Sequence, residues 1–399
     1  MKCKVTNNKI EPFMSFGKMP IANGFIEKKD FNNEFFYNME VGFSEELSLL
    51  QLNDHPEPKS MFNEKYPFFT SSSNYMKIHF KKYAEWISQK YLKSNSNLIE
   101  IGSNDGTFLK NFKDKNINAI GFEPSKNVAD KAILDGVKTY NNFFNLKNIQ
   151  LIKENYNKID VICASNVICH IPDLNDLISS LDKLLSKNGV FIFEEPYMGS
   201  MFKKTSYDQI YDEHIYMFSL SSVKKIFKLF NFELVDVVPQ ETHGGSMRYI
   251  IARAKNTEIS NRVKIGLENE IKNNYDNIKS CLEFKKNCEV SKEKINTLIN
   301  KYKNEGKSIC GYAATSKSTT ILNYCGINQN SIDFICDTTP EKIGKYSPGT
   351  HIPIVPMSHF YNNLTDIVYL FAWNHKDEIF EKEKNKIKND IKWISHVDL

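Results

Sequence analysis

Hydrophobic and polar positions divide the chain into three regimes. Over residues 1–75 apolar residues come in short runs broken by prolines at 12, 20, 56, 58 and 67, with little helical period. That pattern predicts an irregular module of short strands. From residue 76 to 255, apolar runs of strand length (LIEIGS, AIGFEP, IDVICAS, GVFIFEE, FELVDVV) alternate with segments of helical period. Near-continuous apolar strands separated by helices are what a parallel sheet covered on both faces requires. SMRYIIARA, near 246–254, reads as a further strand placed late, as part of an edge pair. Residues 256–399 open with a charged stretch in which Leu267, Ile271, Ile278, Leu282, Ile295 and Leu298 recur at helical steps, predicting amphipathic helices packed on a neighbour. After Gly306 a second alternation (SICGYAAT, STTILNYCG, IDFICDTTP, DIVYLFAWN, then a helix–strand pair) predicts a small Rossmann-like domain.

A length of 399 residues accommodates two or three folding units, and 41% hydrophobic with 13% aromatic residues supplies them with cores. The formal net charge is only +4, with acids and bases interleaved, so nothing calls for nucleic acid as a partner. No leader opens the chain and no apolar run reaches the roughly 18–20 residues of a spanning helix, so no membrane association is expected. The eight cysteines include no CxxC pair and several lie in apolar runs, as reduced thiols do, which points to the cytoplasm.

LIEIGSNDGTFL (98–109) is the most informative local motif: a strand ending in Glu100, then a glycine turn entering a helix expected near Thr107. Gly102 permits a tight turn and Gly106 a close ligand approach. The spacing is not the GxGxxG of a phosphate loop. It is that of class I S-adenosylmethionine (SAM) methyltransferases, with Asn104 and Asp105 inside the turn. Glu123, at the end of the next strand (GFEPS), suits ribose hydroxyls. Asn142 and Phe143 follow the third strand, where adenine is expected, and Asn166 follows the fourth.

With these residues, the chain resembles the sugar C-methyltransferases, SAM-dependent enzymes acting on nucleotide-linked 4-keto-deoxysugars in antibiotic and surface-polysaccharide pathways. The resemblance runs through FGKMPIANGF, YPFFTSSSNYM, EIGSNDGTFL, NVICHIPDL, EEPY, YDQIYDEHIYMFS, HGGSMR, PGTHIPI and WNHKDEI. It implies an α/β fold: a small N-terminal zinc-binding module, a central class I methyltransferase domain and a C-terminal Rossmann-like domain. It also maps a YxEH motif onto Tyr211, Glu213 and His214, and assigns site roles to His170 and Tyr66. One departure stands out. Two CxxC pairs hold zinc in the family, whereas here Cys3 is alone, Thr6 stands at its partner's position and FSEE (43–46) replaces the second pair. A zinc site needs about four ligands, so a metal-free module is expected.

Carbon methylation beside a ketone needs a base for the α-proton and a donor for the enolate oxygen. His214 is the first candidate base. Glu213 either orients that imidazole or is itself the base if burial raises its pKa. Tyr211 is the candidate donor, and His170 can polarise the sugar oxygen. His243 and Arg248 of HGGSMR are expected to contact the nucleotide diphosphate, and Ser316 and Lys317, at a helix start, to contact anionic or polar groups. The expected substrate is a nucleotide sugar, methylated at C3 ahead of C5. The rivals are a sugar O-methyltransferase and a catalytically silent binding protein on the same scaffold.

Overall fold

The computed structural model describes the chain except at residues 65, 114, 154, 155, 157, 255–257 and 388–390. The expected boundary between residues 255 and 256 falls outside the described residues. The N-terminal strands β1 (Pro12–Pro20), β2 (Phe36–Ser44) and β3 (Leu49–Leu52) form an antiparallel meander. Phe13, Met14, Phe16 and Met19 of β1 point into its core.

The central sheet holds seven strands: β4 (Asn97–Ile101), β5 (Asn118–Phe122), β6 (Thr139–Tyr140), β7 (Ile159–Ser165), β8 (Leu185–Pro196), β10 (Phe232–Gln240) and β11 (Ser246–Arg253). β9 (Tyr216–Met217) lies between β8 and β10 in the chain and leaves this sheet to pair with β3. The spatial order is β10-β11-β8-β7-β4-β5-β6, parallel except for β11, which pairs antiparallel with both β8 and β10. SMRYIIARA therefore forms an interior strand, and FELVDVV takes the edge. Its burial agrees: every residue of β11 but the last is buried.

Helix Asn261–Lys272 and the 27-residue helix Ile278–Asn304 lead to the C-terminal unit. The long helix buries Cys281, Phe284, Cys288, Ser291, Ile295, Ile299 and Tyr302. These recur at three- and four-residue steps, an apolar stripe facing a neighbour. Ile271 on the first helix and Leu282 on the second, both expected on packed faces, are instead more than half exposed; on the long helix two cysteines supply small apolar positions. The last unit is an all-parallel sheet, β14-β13-β12-β15-β16, formed by β12 (Ile309–Tyr312), β13 (Ile335–Asp337), β14 (Ile354–Pro356), β15 (Ile367–Leu370) and β16 (Lys392–Ile394).

Candidate active site

A cavity of about 1170 Å³ opens where β4, β5 and β7 end, and residues from all three regions line it. Ligands of open α/β sheets bind beyond the carboxyl ends of the strands. Pockets for one small ligand commonly span about 300–1,000 Å³, so this one lies just above that range.

At the turn after β4, Gly102 (φ +66°) donates its N–H to Phe122 O at 2.8 Å. A Cβ there would lie 2.4 Å from Val167 Cγ2. Gly102→Ala is therefore expected to lower stability by about 1–3 kcal/mol through strain and overpacking, read as a lower urea midpoint at unchanged slope. Asn104 N–H donates to Glu123 Oε2 (3.0 Å) and Ser125 N–H to Glu123 Oε1 (2.7 Å). Burial raises the Glu123 carboxyl, and these backbone donors partly offset the rise. The Asn104 amide also pins the segment before the central domain, accepting from Thr70 N–H (2.9 Å) and donating to Phe68 O (3.1 Å). That segment brings Tyr66 to the cavity wall.

Glu100, Phe143 and Asn166 also line the cavity. Glu100 Oε2, Ser103 Oγ and Asn166 Oδ1 are buried without a hydrogen-bond partner, atoms that a bound ligand or water would satisfy. Three expected cofactor residues do not line it. Asp105 is fully buried and spent on structure: Oδ2 accepts from Ser71 N–H (2.9 Å) and Oδ1 from the Thr107 hydroxyl (2.6 Å). Gly106 (φ +74°) serves packing, since a Cβ would meet Val137 at 2.8 Å and Ala132 at 3.3 Å. The turn continues as a 3-10 helix, Leu109–Phe112, rather than an α-helix from Thr107. Asn142 stands outside the lining, next to Phe143.

The segment after β8 brings the expected chemistry together. Tyr211, Glu213 and His214 are all buried and all line the cavity. His214 Nδ1 lies 2.6 Å from Gln209 O, and Nε2 lies 2.7 Å from the Tyr211 hydroxyl. A carbonyl only accepts, so Nδ1 carries the proton, and Tyr211 donates into the Nε2 lone pair. Burial and the neighbouring His170 hold His214 well below its usual pKa, so it is neutral. The imidazole is thus oriented by Gln209 O and Tyr211, not by Glu213. Burial raises the Glu213 carboxyl to about 7, against hydrogen bonding from Asn23 and the charge of Lys342. Burial, then Glu213, raises the adjacent Asp212 well above the usual range.

His170 stacks on His214 (centroids 5.3 Å) and on Phe62 (5.5 Å). Its Nε2 is buried without a partner, and burial drops its pKa to about 3. The turn carrying His170 hangs on Glu195: Oε1 accepts the N–H groups of Val167 (3.0 Å), Ile168 (2.6 Å) and Cys169 (3.1 Å). Such an anchor was not legible from EEPY alone.

Among the expected substrate residues, His243, Ser316 and Lys317 line the cavity. Lys317 is buried, and burial lowers its pKa. Arg248 does not reach the cavity. It is buried in β11, pairs with Glu194 (Nε–Oε1 2.7 Å) and stacks over the Tyr83 ring at 3.9 Å. Burial by itself would raise the Glu194 carboxyl, but His79 and Arg248 hold it below its usual range. Its partners consume the guanidinium that a diphosphate would need. Sequence reasoning also missed Asn23, Lys342, Asn374 and His375 in the lining. IANG carries Asn23, WNHKD carries Asn374 and His375, and Lys342 lies in EKIG after the DFICDTTP strand; none of these stretches has a local signature of its chemistry.

Comparison with known proteins accounts for nearly the whole chain. Residues 3–62 match a putative zinc binding domain, 75–237 a methyltransferase domain, and 241–397 a C-methyltransferase C-terminal domain. The C-methyltransferase NovU of Streptomyces niveus is 28% identical over 384 residues, covering 96% of this chain and 91% of its own. Over nearly its whole length the chain is therefore similar to SAM-dependent C-methyltransferases. Fold likenesses to magnesium protoporphyrin IX methyltransferase of Synechocystis PCC 6803 (12% identity, TM-score 0.35, 45% of this chain and 79% of that one) and cyclopropane synthase MmaA2 of Mycobacterium tuberculosis (13%, 0.34, 43% and 83%) are also found. The strand sequence of the central sheet, counted within it, is 3-2-1-4-5-7-6 with the seventh antiparallel.

SAM fits the residues present: a glycine turn, Glu123 on a strand end, and unpartnered polar atoms between them. Zinc does not fit the N-terminal module. Cys3 is fully buried in an apolar cluster with Val5, Ile10, Leu47 and Leu49, and Ser44 Oγ accepts from Leu47 N–H. Among the described residues, the His and Cys side chains that do converge are Cys169, His170 and His214, outside this module; the two histidines line the cavity. Dialysis against EDTA is therefore expected to leave the thermal midpoint unmoved, as checked by calorimetry before and after. No described helix is long and apolar enough to cross a membrane.

Proposed function

We propose that this protein acts on a nucleotide-linked 4-keto-deoxysugar, methylating the carbon beside the ketone, with C3 ahead of C5. The observation that carries this reading is a buried carboxyl raised to about 7, Glu213, in one cavity wall with a neutral, unpartnered imidazole, His170. That is a base and an electrophilic donor, which carbon methylation needs; transfer to a hydroxyl needs only the base.

SAM, when bound, supplies a methyl group on a sulfonium that departs as a neutral thioether. Glu213 takes the α-proton, and the C–H electron pair moves toward the ketone oxygen. His170 donates a hydrogen bond from Nε2 to that oxygen; kept neutral by burial, it stays closer in acidity to an enol than an imidazolium would be. The neighbouring His214–Tyr211 pair holds a phenol proton aimed at a ring nitrogen rather than at solvent. The nucleophilic carbon then takes the methyl, and Glu213 releases its proton to water. Glu213 rather than His214 is the base because Tyr211 already occupies the free nitrogen of His214. Ser316 and Lys317, at the start of helix Ser316–Cys325, suit the diphosphate: one hydroxyl and one buried cation at a positive helix end.

Incubation with SAM and a panel of nucleotide-linked 4-keto-deoxysugars, read by mass, tests this. A gain of one methyl on a nucleotide-linked ketone is expected. Transfer only to sugars lacking the ketone would replace this reading with O-methylation.

A further inference from the structure

Asn23 belongs to the N-terminal module, 190 residues before Glu213, yet its Nδ2 donates to Glu213 Oε1 at 2.6 Å. Its Oδ1 faces the Ser316 hydroxyl at 3.3 Å, so one amide bridges the central and C-terminal regions. The backbone beside it is clamped as well. Ala22 N–H donates to Asp212 Oδ2 (3.1 Å), and Ala22 O accepts from the Thr319 hydroxyl (2.8 Å). A flipped amide would turn its oxygen onto a carboxylate, so the orientation is set by chemistry as well as by the clamp.

We propose that Asn23 is a positioning residue for proton transfer: its amide holds Glu213 in place and favours its ionised form, which makes the N-terminal module part of the catalytic apparatus. This rests on the reading of Glu213 as base. Hydrogen bonding to the charged form of an acid favours that form. Around Glu213 stand Asp212 and Tyr211 from its own segment, Tyr66 from the segment before the central domain, the Cys169 thiol, and Lys342 from the C-terminal region. Lys342 is the cation of this set, but its ammonium is engaged by Ala314 O at 2.8 Å and lies over the Phe25 ring. The amide of Asn23 is therefore the direct donor opposing burial. A module whose relatives are described as zinc-binding here lacks the ligands for zinc and meets the active site through a side-chain amide.

The test is a titration of the full chain labelled with ¹³C at glutamate carboxyls, the Glu213 signal being assigned by its loss in Glu213→Gln. Asn23→Asp removes the donor and sets a second carboxylate beside the first. The Glu213 midpoint is expected to rise by about one to two pH units. With the same sign, the acid limb of methyl transfer moves to higher pH, because the base must be deprotonated to act. An unmoved midpoint, even with reduced activity, would overturn the proposal and leave Asn23 a structural residue. Should Asn23→Asp fail to fold, Ser316→Ala frees the other end of the amide, and a smaller rise is expected; no rise there overturns it equally. A raised midpoint together with full methyl transfer by Glu213→Gln would overturn the reading of Glu213 as base, so the two failures are read separately.

Discussion

Glu213→Gln is expected to cut methyl transfer by about 10²–10⁴-fold, the usual worth of a positioned general base, while SAM binding stays intact. The substitution keeps the shape of the side chain and removes only its ability to take a proton. In the unmodified protein burial raises this carboxyl to about 7, so the deprotonated, active form grows in as pH rises through neutrality. The rate should climb over that window and the Gln variant should lose the climb. Steady-state rates from pH 5.5 to 8.5, with SAM binding followed by calorimetry, check both statements. If Glu213→Gln keeps its rate while His214→Ala loses it, the proton goes to His214, and Tyr211 must then leave its nitrogen during the reaction.

Glu123→Ala should weaken SAM binding by about 10²–10⁴-fold. Hydrogen bonds to a charged group contribute about 1.5–3 kcal/mol each, and a carboxylate holding both ribose hydroxyls, as proposed for Glu123, would make two. The substitution also strips the acceptor from the Asn104 and Ser125 N–H groups, loosening the turn itself. Through Asn104 the loss reaches the segment that carries Tyr66, because the same residue holds Phe68 O and Thr70 N–H. Titration calorimetry with SAM and with its demethylated product reads the change; unaltered affinity for both would place the ribose elsewhere.

Local pattern carried the fold far, because buried parallel strands leave continuous apolar runs and a glycine turn leaves its own signature. LIEIGS and GFEPS fell where expected for that reason, and so did the clustering of Tyr211, Glu213 and His214, which share one short segment. Pattern did not carry information about neighbours. SMRYIIARA and FELVDVV both read as strands, yet only pairing decides which of them lies at the edge. Asp105 and Arg248 have the right chemistry for ligands, but Ser71 N–H and Thr107 take one and Glu194 the other. Those partners are 34 and 54 residues away for Ser71 and Glu194, beyond any local window. Asn23 was invisible for the same reason: a loop asparagine has no meaning until the fold sets it against Glu213. The missing thiolates, by contrast, were fully legible, since a ligand absent from the sequence cannot be restored by folding.

The central claim is that this protein makes a carbanion beside a ketone, and α-proton exchange measures that directly. The unmodified protein is incubated in deuterated water with S-adenosylhomocysteine, so that no methyl can be transferred, and with the nucleotide-linked 4-keto-deoxysugar that gains a methyl in the panel assay, and the sugar is followed by proton NMR. The account predicts deuterium entering at the carbon beside the ketone, at a rate that falls in Glu213→Gln. Methyl transfer from SAM to that same sugar with no exchange of its α-proton would contradict it.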